Sequence, residues 1–440
     1  MTIHVPRAAE ARRVAIASAI GTTIEWYDFF IYGTAAAVVF GPQFFPQASA
    51  VGATLAAFAA FAVAFVARPL GGVVMGHFGD RVGRKSMLVW SLMLMGVSTF
   101  AIGLLPNHAA IGVWAPILLV TCRFVQGFAL GGEWGGAVLM AIEHAPQDRR
   151  GWYGSLVALG LPAGIILSNL VFLATTLLVD PRAFADWGWR VPFLASGVLV
   201  LVGIVVRLTV AESPLFTESM EARETRRLPV VEVLRHHARL VLLAAGSYVG
   251  ISALGYLVIV YYVSYATTVL GIALPVALSL LLVAAVGFAA SIVLAARWSD
   301  RMGRQTVMRW GNGLLVLWAL VFFTLLDTGS IPVIAVALTV MLVLQGAYIG
   351  TQPAVFAELF PTRVRYSGAS LGMTIGTIAG GAPAPFIATA LYGVTGTSQL
   401  VTVYAVTMAA IGFLSLLGLE ETYRRSLRSP AADAVSAHAD

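Results

Sequence analysis

Residues 76–85 read GHFGDRVGRK, and residues 296–305 read ARWSDRMGRQ. Both segments contain the pattern Asp-Arg-x-Gly-Arg, once in each half of the chain, and each follows a long apolar run. Each is therefore predicted to form a tight turn in which glycine relaxes the backbone. A second repeat is the dipeptide Gln-Gly, at Gln126-Gly127 and at Gln345-Gly346. The sequence thus predicts two halves that share one architecture.

The composition identifies the solvent in which the chain folds. Of the 440 residues, 59% are hydrophobic and 11% are charged, whereas a soluble domain carries about 25% charged residues. Runs of about 20 apolar residues recur, each long enough to cross a bilayer as a helix. The predicted fold is therefore an all-α membrane protein with twelve transmembrane helices in two six-helix halves. The predicted spans are 15–40, 52–77, 86–105, 112–142, 151–178, 189–209, 239–264, 272–297, 307–326, 331–352, 366–393 and 398–419.

A polar stretch at 210–238 interrupts the apolar runs. It is predicted to be a cytoplasmic linker between an N-terminal half, 1–209, and a C-terminal half, 239–423. Residues 424–440 are predicted to form a cytoplasmic tail.

The net charge of +6 reports topology. Of the 27 Lys and Arg residues, only Arg182 and Arg190 fall on the predicted outer side, and Arg68 and Arg123 fall within spans. All the others lie in tails, inner loops or inner helix ends. This is the positive-inside pattern, so both termini are predicted to be cytoplasmic. The basic balance therefore does not indicate a nucleic-acid partner.

Few ionisable side chains lie inside the predicted spans, and such residues are costly and usually functional. The candidates are Glu25 and Asp28 in the first span, and Arg123 and Glu133 in the fourth, whereas Arg68 lies near the inner end of the second span. An Asp28 carboxylate beside Arg123 in low dielectric forms a natural proton switch, because protonation of the acid releases the arginine. The planar guanidinium can then bind a substrate carboxylate. Two alternatives remain: Glu25 or Glu133 carries the proton, or a buried ion pair only locks helices together.

Neutral polar side chains supply further candidates for the substrate site. Each has two interpretations, since amides and hydroxyls in a bundle either bind a solute or bond neighbouring helices to one another. The candidates are Tyr32, Gln126, Asn169, Tyr248, Tyr256, Gln345, Tyr348 and Gln352.

The charged loops and the nearby inner helix ends are predicted to form a cytoplasmic gate. Carboxylates at the inner ends of the fourth and tenth spans can accept hydrogen bonds from the loop arginines, and such clusters must break when that side opens. The alternative is that the arginines only anchor the topology. The candidate gate residues are Asp80, Arg81, Arg84, Glu143, Asp300, Arg301, Arg304 and Glu358.

These features resemble the major facilitator superfamily and, within it, the metabolite:proton symporter family, with the first half most similar to bacterial shikimate permeases. The resemblance covers nearly the whole chain. Beyond the loops, the segments that carry it are Ile24–Gly33 (IEWYDFFIYG), Phe44–Pro46 (FFP), Arg68–Gly72 (RPLGG), Arg123–Gly127 (RFVQG), Gly131–Gly136 (GGEWGG), Trp189–Phe193 (WRVPF) and Glu212–Pro214 (ESP).

The resemblance implies proton-coupled uptake of a small organic acid, such as shikimate, across a bacterial inner membrane by alternating access. A proline- or betaine-type zwitterion is the main alternative. Osmosensing members carry a long C-terminal coiled coil, whereas the tail after Glu420 is short and lacks heptads. A proton-coupled exporter of the same fold is a further alternative.

An enzyme is disfavoured, because no catalytic cluster stands out. Cys122 is the single cysteine and no histidine pair has metal-ligand spacing, so neither a metal nor a cofactor is expected. The proton gradient is the expected driving force. The expected partners are the acid, the proton and the bilayer, and the chain is expected to act as a monomer.

Overall fold

The computed structural model describes residues 8–82, 84–132, 142, 145, 147–208, 229–361 and 364–423. Glu133 and Glu143 lie outside this part of the chain, as do the side chains of Asp80, Arg81 and Arg84 and most of the linker and tail.

Twelve long helices, labelled α1 to α12, make up the described structure. In the N-terminal half they are α1 (Ala8–Val38), α2 (Ala50–Val82), α3 (Arg84–Leu104), α4 (Trp114–Ala129), α5 (Arg150–Leu178) and α6 (Val191–Leu208). In the C-terminal half they are α7 (Ala238–Thr268), α8 (Leu274–Met302), α9 (Arg304–Asp327), α10 (Ile331–Leu359), α11 (Arg365–Thr395) and α12 (Gln399–Leu417). Short helices at Phe40–Phe44, His108–Ile111, Pro181–Asp186 and Pro229–His236 join some of them.

The predicted spans agree with these helices, because hydropathy is a local property of the chain. Within the described residues, nine helices are long and apolar enough to cross a membrane, and α3 and α4 contain shorter apolar segments. Large apolar side chains point away from the bundle: Leu178 is 84% exposed and Val394 is 86% exposed. Such a surface requires lipid as its solvent. The fourth predicted span, 112–142, begins as expected, but α4 ends at Ala129 and a tight turn, Leu130–Gly132, follows.

The two halves repeat the same packing. In the first, α1 packs on α5 and α6, α2 packs on α4, and α3 packs on α4 and α6. In the second, α7 packs on α11 and α12, α8 packs on α10, and α9 packs on α10 and α12. The contacts between the halves are also paired, since α5 meets α8 and α11 meets α2.

The repeated Gln-Gly dipeptide explains one of these contacts. A methyl group on Gly127 would lie 2.0 Å from the backbone oxygen of Ala64, so α4 reaches the backbone of α2 only because this residue lacks a side chain. Gly346 plays the same part in the second half, where a methyl group would lie 1.8 Å from Oγ of Ser291 on α8. The glutamines that precede both glycines are buried.

Candidate functional site

Arg123, on α4, is fully buried and contacts side chains of α1 and α2. Its Nη1 donates to Oε1 of Gln126 at 3.1 Å, and its Nε donates to the backbone oxygen of Phe61 at 3.3 Å. Its Nη2 has no hydrogen-bond partner within the described part of the chain. A buried charged donor without a partner is costly, so this atom is available to a ligand.

Three aromatic rings surround the Arg123 guanidinium. Its Cζ lies 4.3 Å from the ring centre of Phe29, 4.2 Å from that of Tyr32 and 4.7 Å from that of Phe61. Each such contact contributes about 0.5–1 kcal/mol at an exposed site and about 2 kcal/mol at a desolvated one. The rings therefore compensate for part of the missing hydration and hold the guanidinium in one orientation.

The rings of Phe29, Tyr32, Phe61, Phe65 and Tyr256 form one cluster, which we call the aromatic box, and Tyr256 belongs to α7 in the other half. Its centre lies 5.8 Å from that of Phe29, 5.7 Å from that of Phe61 and 5.4 Å from that of Phe65. The helix widens into a π turn, Leu257–Tyr261, directly after Tyr256, and such turns often occur at functional sites. The box is thus shared by the two halves, as a central transport site requires.

Asp28 is 1% exposed, and its contact with Arg123 is indirect. Its Oδ2 accepts a hydrogen bond from Oγ1 of Thr99 at 2.9 Å, and Nε2 of Gln126 donates to the same hydroxyl at 2.7 Å. Gln126 in turn accepts from Arg123. In this conformation the predicted acid and arginine are therefore connected through two bridging side chains, and no direct ion pair joins them.

Glu25, the alternative proton carrier, is half-buried one turn before Asp28 on α1. Between them, the hydroxyl of Tyr27 donates to the backbone oxygen of Pro192 at 2.7 Å and so ties α1 to α6. Glu133, the other alternative, lies beyond the described end of α4.

Arg68 also contacts the aromatic box. Its Cζ lies 4.9 Å from the ring centre of Phe65 and 5.2 Å from that of Phe29. Sequence reasoning missed Phe61 and Phe65, although Phe61, Phe65 and Arg68 follow the i, i+4, i+7 spacing of one helix face. That spacing was the available signal.

The neutral polar candidates for the substrate site in the C-terminal half lie in several separate places. Gln345 lies beside Gly255, next to Tyr256, and its Nε2 has no partner among the described residues. The hydroxyl of Tyr348 is 2.8 Å from that of Ser247. Tyr248 and Gln352 line a separate cavity of about 30 Å³, which is room for one water molecule.

Asn169, on α5, is held by its own helix. Its Nδ2 donates to the backbone oxygen of Ile165 at 2.8 Å. Its buried Oδ1 accepts no hydrogen bond from the described residues, so an acceptor stays available there.

A buried ion cluster joins the halves at one end of the bundle. Glu358 accepts from Nε and Nη2 of Arg304, at 3.3 Å each, and lies 3.6 Å from Nη1 of Arg150 on α5. Asp300 pairs with Arg304 and accepts from the backbone nitrogens of Gly151 at 2.9 Å and Trp152 at 3.0 Å.

Three of the predicted gate residues, Asp300, Arg304 and Glu358, therefore meet in this cluster. Arg301 is exposed and lies outside it. The cluster also contains residues that the gate prediction omitted. Arg150 supplies a cation, and the Cζ of Arg297 lies 4.3 Å from the ring centre of Trp152. From the end of the described chain, Thr422 donates to Glu358 at 2.9 Å.

A cavity of about 770 Å³ opens at the other end of the bundle. Each half contributes part of its wall, including Gly41, Phe45 and Ala53 from the first and Thr268 and Ile272 from the second. In the described structure, the ion cluster therefore joins the halves at one end of the bundle, and a cavity lined by both halves lies at the opposite end.

Comparisons with known proteins agree with this architecture. The model of the Major Facilitator Superfamily matches residues 18–385 and 262–437. The inner membrane metabolite transport protein YhjE of Escherichia coli (strain K12) is 43% identical over 94% of this chain and 95% of its own length. The shikimate transporter of the same organism is 39% identical over 94% and 96%. The proline/betaine transporter of Salmonella typhimurium is 30% identical over 96% and 87%.

Solved structures give the same fold. The proton:xylose symporter XylE, bound to 6-bromo-6-deoxy-D-glucose, superimposes with a TM-score of 0.73 at 17% identity, over 96% of this chain and 98% of the other. A partially occluded inward-open structure of XylE from E. coli gives a TM-score of 0.74 at 18% identity, over 94% and 99%. The predicted family is therefore confirmed: the chain belongs to the major facilitator superfamily of membrane transporters.

Proposed function

We propose that this protein is a proton-coupled symporter that takes up a small organic acid, such as shikimate or a related carboxylate, by alternating access. The observation that carries the proposal is the Arg123 site. A fully buried guanidinium faces an aromatic box and keeps one donor nitrogen unfilled. The other terminal nitrogen, Nη1, is linked to the buried carboxyl of Asp28 through Gln126 and Thr99.

A carboxylate is the ligand that fits this arrangement. Nη2 of Arg123 offers a charged donor, and hydrogen bonds to charged groups are the strong ones. The rings of Tyr32 and Tyr256 bring hydroxyls without partners among the described residues. These hydroxyls suit the oxygen atoms of a hydroxylated acid, and the rings suit its carbon skeleton. Gln345, beside Tyr256, adds an amide from the second half.

Asp28 is the proposed proton carrier. An ionised Asp28 balances the charge of Arg123, whereas a protonated Asp28 leaves a net positive site that attracts an anion. Proton and anion therefore bind best together, which is the requirement for symport. Glu25 and Glu133 stay in the proposal as alternative carriers, and the test below separates Glu25 from Asp28.

The gate is proposed to be the ion cluster of Asp300, Arg304 and Glu358. The positive-inside distribution supports a cytoplasmic location for it, with both termini on the same side. Asp80, Arg81, Arg84 and Glu143 are proposed as its counterpart in the first half. The repeated packing supports rocking of two units, 1–209 and 239–423, joined by the linker 210–238. The chain is proposed to work as a monomer in a bacterial inner membrane.

A zwitterionic substrate is the second candidate, because proline/betaine transporters are 30% identical to this chain over almost its whole length. A zwitterion brings its own cation, so it gains less from a net positive site than an acid does. Substrate charge therefore discriminates between the two functions.

The test is uptake into proteoliposomes that contain the purified protein under an imposed inward proton gradient. Labelled shikimate, 2-oxoglutarate, benzoate and proline are compared, each with and without a protonophore. The expected result is protonophore-sensitive accumulation of one acid. Asp28→Asn should abolish accumulation, whereas Glu25→Gln and the exposed control Asp148→Asn should preserve it. Accumulation of proline alone would contradict the anion role of Arg123, and proton-driven efflux would indicate an exporter.

A further inference from the structure

The hydroxyl of Thr99 lies within hydrogen-bond distance of three groups. Its Oγ1 is 2.7 Å from Nε2 of Gln126, 2.9 Å from Oδ2 of Asp28 and 2.9 Å from the backbone oxygen of Met95, one turn earlier on α3. The side chain is fully buried, so water does not compete for these contacts.

Hydrogen-bond chemistry fixes the direction of one of these bonds. Arginine nitrogens only donate, so the amide oxygen of Gln126 must face Nη1 of Arg123 and its Nε2 must face Thr99. Thr99 therefore accepts from Gln126. Its single proton remains for two acceptors, the Asp28 carboxyl and the Met95 carbonyl.

Two arrangements of protons satisfy the same positions of the heavier atoms. When Asp28 is ionised, Thr99 donates to it. When Asp28 is protonated, Asp28 can donate to Thr99, and Thr99 turns its proton to the backbone oxygen of Met95. The carbonyl of a helical residue has a second lone pair, so it can accept this extra bond. Rotation of one O–H bond is the only movement required.

The two arrangements differ in how they connect Asp28 to Arg123. With Asp28 ionised, every bond points the same way, from Arg123 through Gln126 and Thr99 to the carboxylate. Such head-to-tail chains strengthen one another in a low dielectric. With Asp28 protonated, Thr99 receives bonds from both sides, and the run from Arg123 ends at Met95 instead of at a charge.

We propose that Thr99 is a positioning residue that conveys the protonation state of Asp28 to Arg123, through this reversal of its hydroxyl. The inference rests on the proposed symport function and deepens it. Protonation of Asp28 interrupts the chain and loosens the hold on Arg123, which then receives the substrate carboxylate.

Other charged and titratable groups surround Asp28. Glu25 and Tyr27 flank it on α1, and Arg123 faces it from α4. Arg68 of α2 contacts the opposite part of the box through Phe29. Their charges influence how readily Asp28 binds a proton. Thr99 determines whether that proton is sensed at Arg123, because its hydroxyl bonds both Asp28 and Gln126.

The test compares Thr99→Val, Thr99→Ser and Thr175→Val. Valine keeps the shape of threonine and removes the hydroxyl, and serine restores it. Thr175 is another buried threonine, on α5, and its hydroxyl donates to its own helix, at the backbone oxygen of Val171. Two activities are measured in proteoliposomes, with the acid that accumulates in the uptake test above. The first is its accumulation under a proton gradient. The second is the exchange of labelled for unlabelled acid with the same pH on both sides of the membrane.

In Thr99→Val, accumulation should fall about tenfold or more, and exchange should fall less. The affinity for the acid should also depend less on pH than in the wild type. Thr99→Ser should recover both properties, and Thr175→Val should resemble the wild type. Unchanged accumulation and pH dependence in Thr99→Val, or equal losses in Thr99→Val and Thr175→Val, would overturn the proposal.

Difference infrared spectroscopy separates a failure of this inference from a failure of the proposed function, because it needs no transport. The carboxyl band of protonated Asp28 is identified by its loss in Asp28→Asn. It should shift in Thr99→Val, which removes the acceptor of the Asp28 proton, and stay in place in Thr175→Val. An unshifted band would refute the hydrogen-bond reversal even if the protein proves to transport a different solute.

Discussion

Oδ1 of Asp300 lies 2.9 Å from the backbone nitrogen of Gly151, across the boundary between the two halves. Asp300 stands at the end of α8 and Gly151 at the start of α5, so the carboxylate caps the first turn of a helix that belongs to the other half. A carboxylate at a helix N-terminus is stabilised by the backbone donors and by the helix dipole. This contact joins the two halves. The close approach of α8 leaves no room for a side chain at Gly151.

Gly151→Ala should open the end of the bundle that holds the ion cluster. Its methyl group would lie 2.7 Å from the backbone oxygen of Ala296 and 2.8 Å from Oδ1 of Asp300, so α5 and α8 must separate. Spin labels at the exposed positions 149 and 301 should report longer distances in Gly151→Ala than in the labelled protein that retains Gly151. Gly313→Ala is the control, since its methyl group meets Phe413 at an ordinary 3.5 Å. An unchanged distance distribution would show that the space between α5 and α8 at position 151 accepts a methyl group.

Glu358→Gln should lower the free energy of unfolding by about 3–5 kcal/mol, because it leaves Arg304 and Arg150 without their shared buried carboxylate. Thermal unfolding in detergent measures the effect. Asp148→Asn serves as the control. It breaks an exposed pair with Arg149, and such pairs contribute about 0–1 kcal/mol. Similar melting temperatures for both variants would mean that the cluster does not stabilise this conformation.

Arg123→Lys should raise the KM for the transported acid about tenfold or more, since lysine keeps the charge but loses the planar fork and the bond to Gln126. Initial rates of uptake over a range of substrate concentrations measure it. Arg182→Lys, at an exposed position, should behave as the wild type. A lysine variant with the wild-type KM would indicate that the site requires only a positive charge.

Tyr32→Phe and Tyr348→Phe should have opposite effects. The hydroxyl of Tyr32 has no partner among the described residues, so its loss should raise KM about fivefold with little change in stability. The hydroxyl of Tyr348 bonds Ser247, so its loss should cost about 1 kcal/mol of stability with little change in KM. Uptake kinetics and melting temperatures of both variants provide the measurement. A destabilised Tyr32→Phe with normal kinetics would assign the Tyr32 hydroxyl to helix packing.

The twelve helices were predictable from sequence because each apolar run reports its own burial in lipid. Asp28 and Arg123 were predictable as candidate site residues because ionisable side chains inside spans are rare. Thr99 was not, since threonine is common in such helices and its importance depends on which residues of two other helices it faces. The position of Arg68 against Phe29 and Phe65 likewise depends on how α1 and α2 pack.

The residues of the ion cluster were likewise predicted only in part from the sequence. The repeated loop indicated Asp300 and Arg304, and the inner end of the tenth span indicated Glu358. The contribution of Arg150 and the Gly151 backbone was not predicted, because the contact joins α5 to α8 and no local pattern reports which helices meet across the two halves.

The repeated packing also shows what the two halves do not share. Gln126 and Gln345 occupy matching places, but three residues before them stand Arg123 in one half and the buried Leu342 in the other. An ancestral duplication would have given both copies the same scaffold, and only one now holds the charged pair. Under the proposed symport mechanism, the change of charge in each cycle is confined to the Asp28 and Arg123 region of the N-terminal half, and the C-terminal half faces this region with the neutral ring of Tyr256.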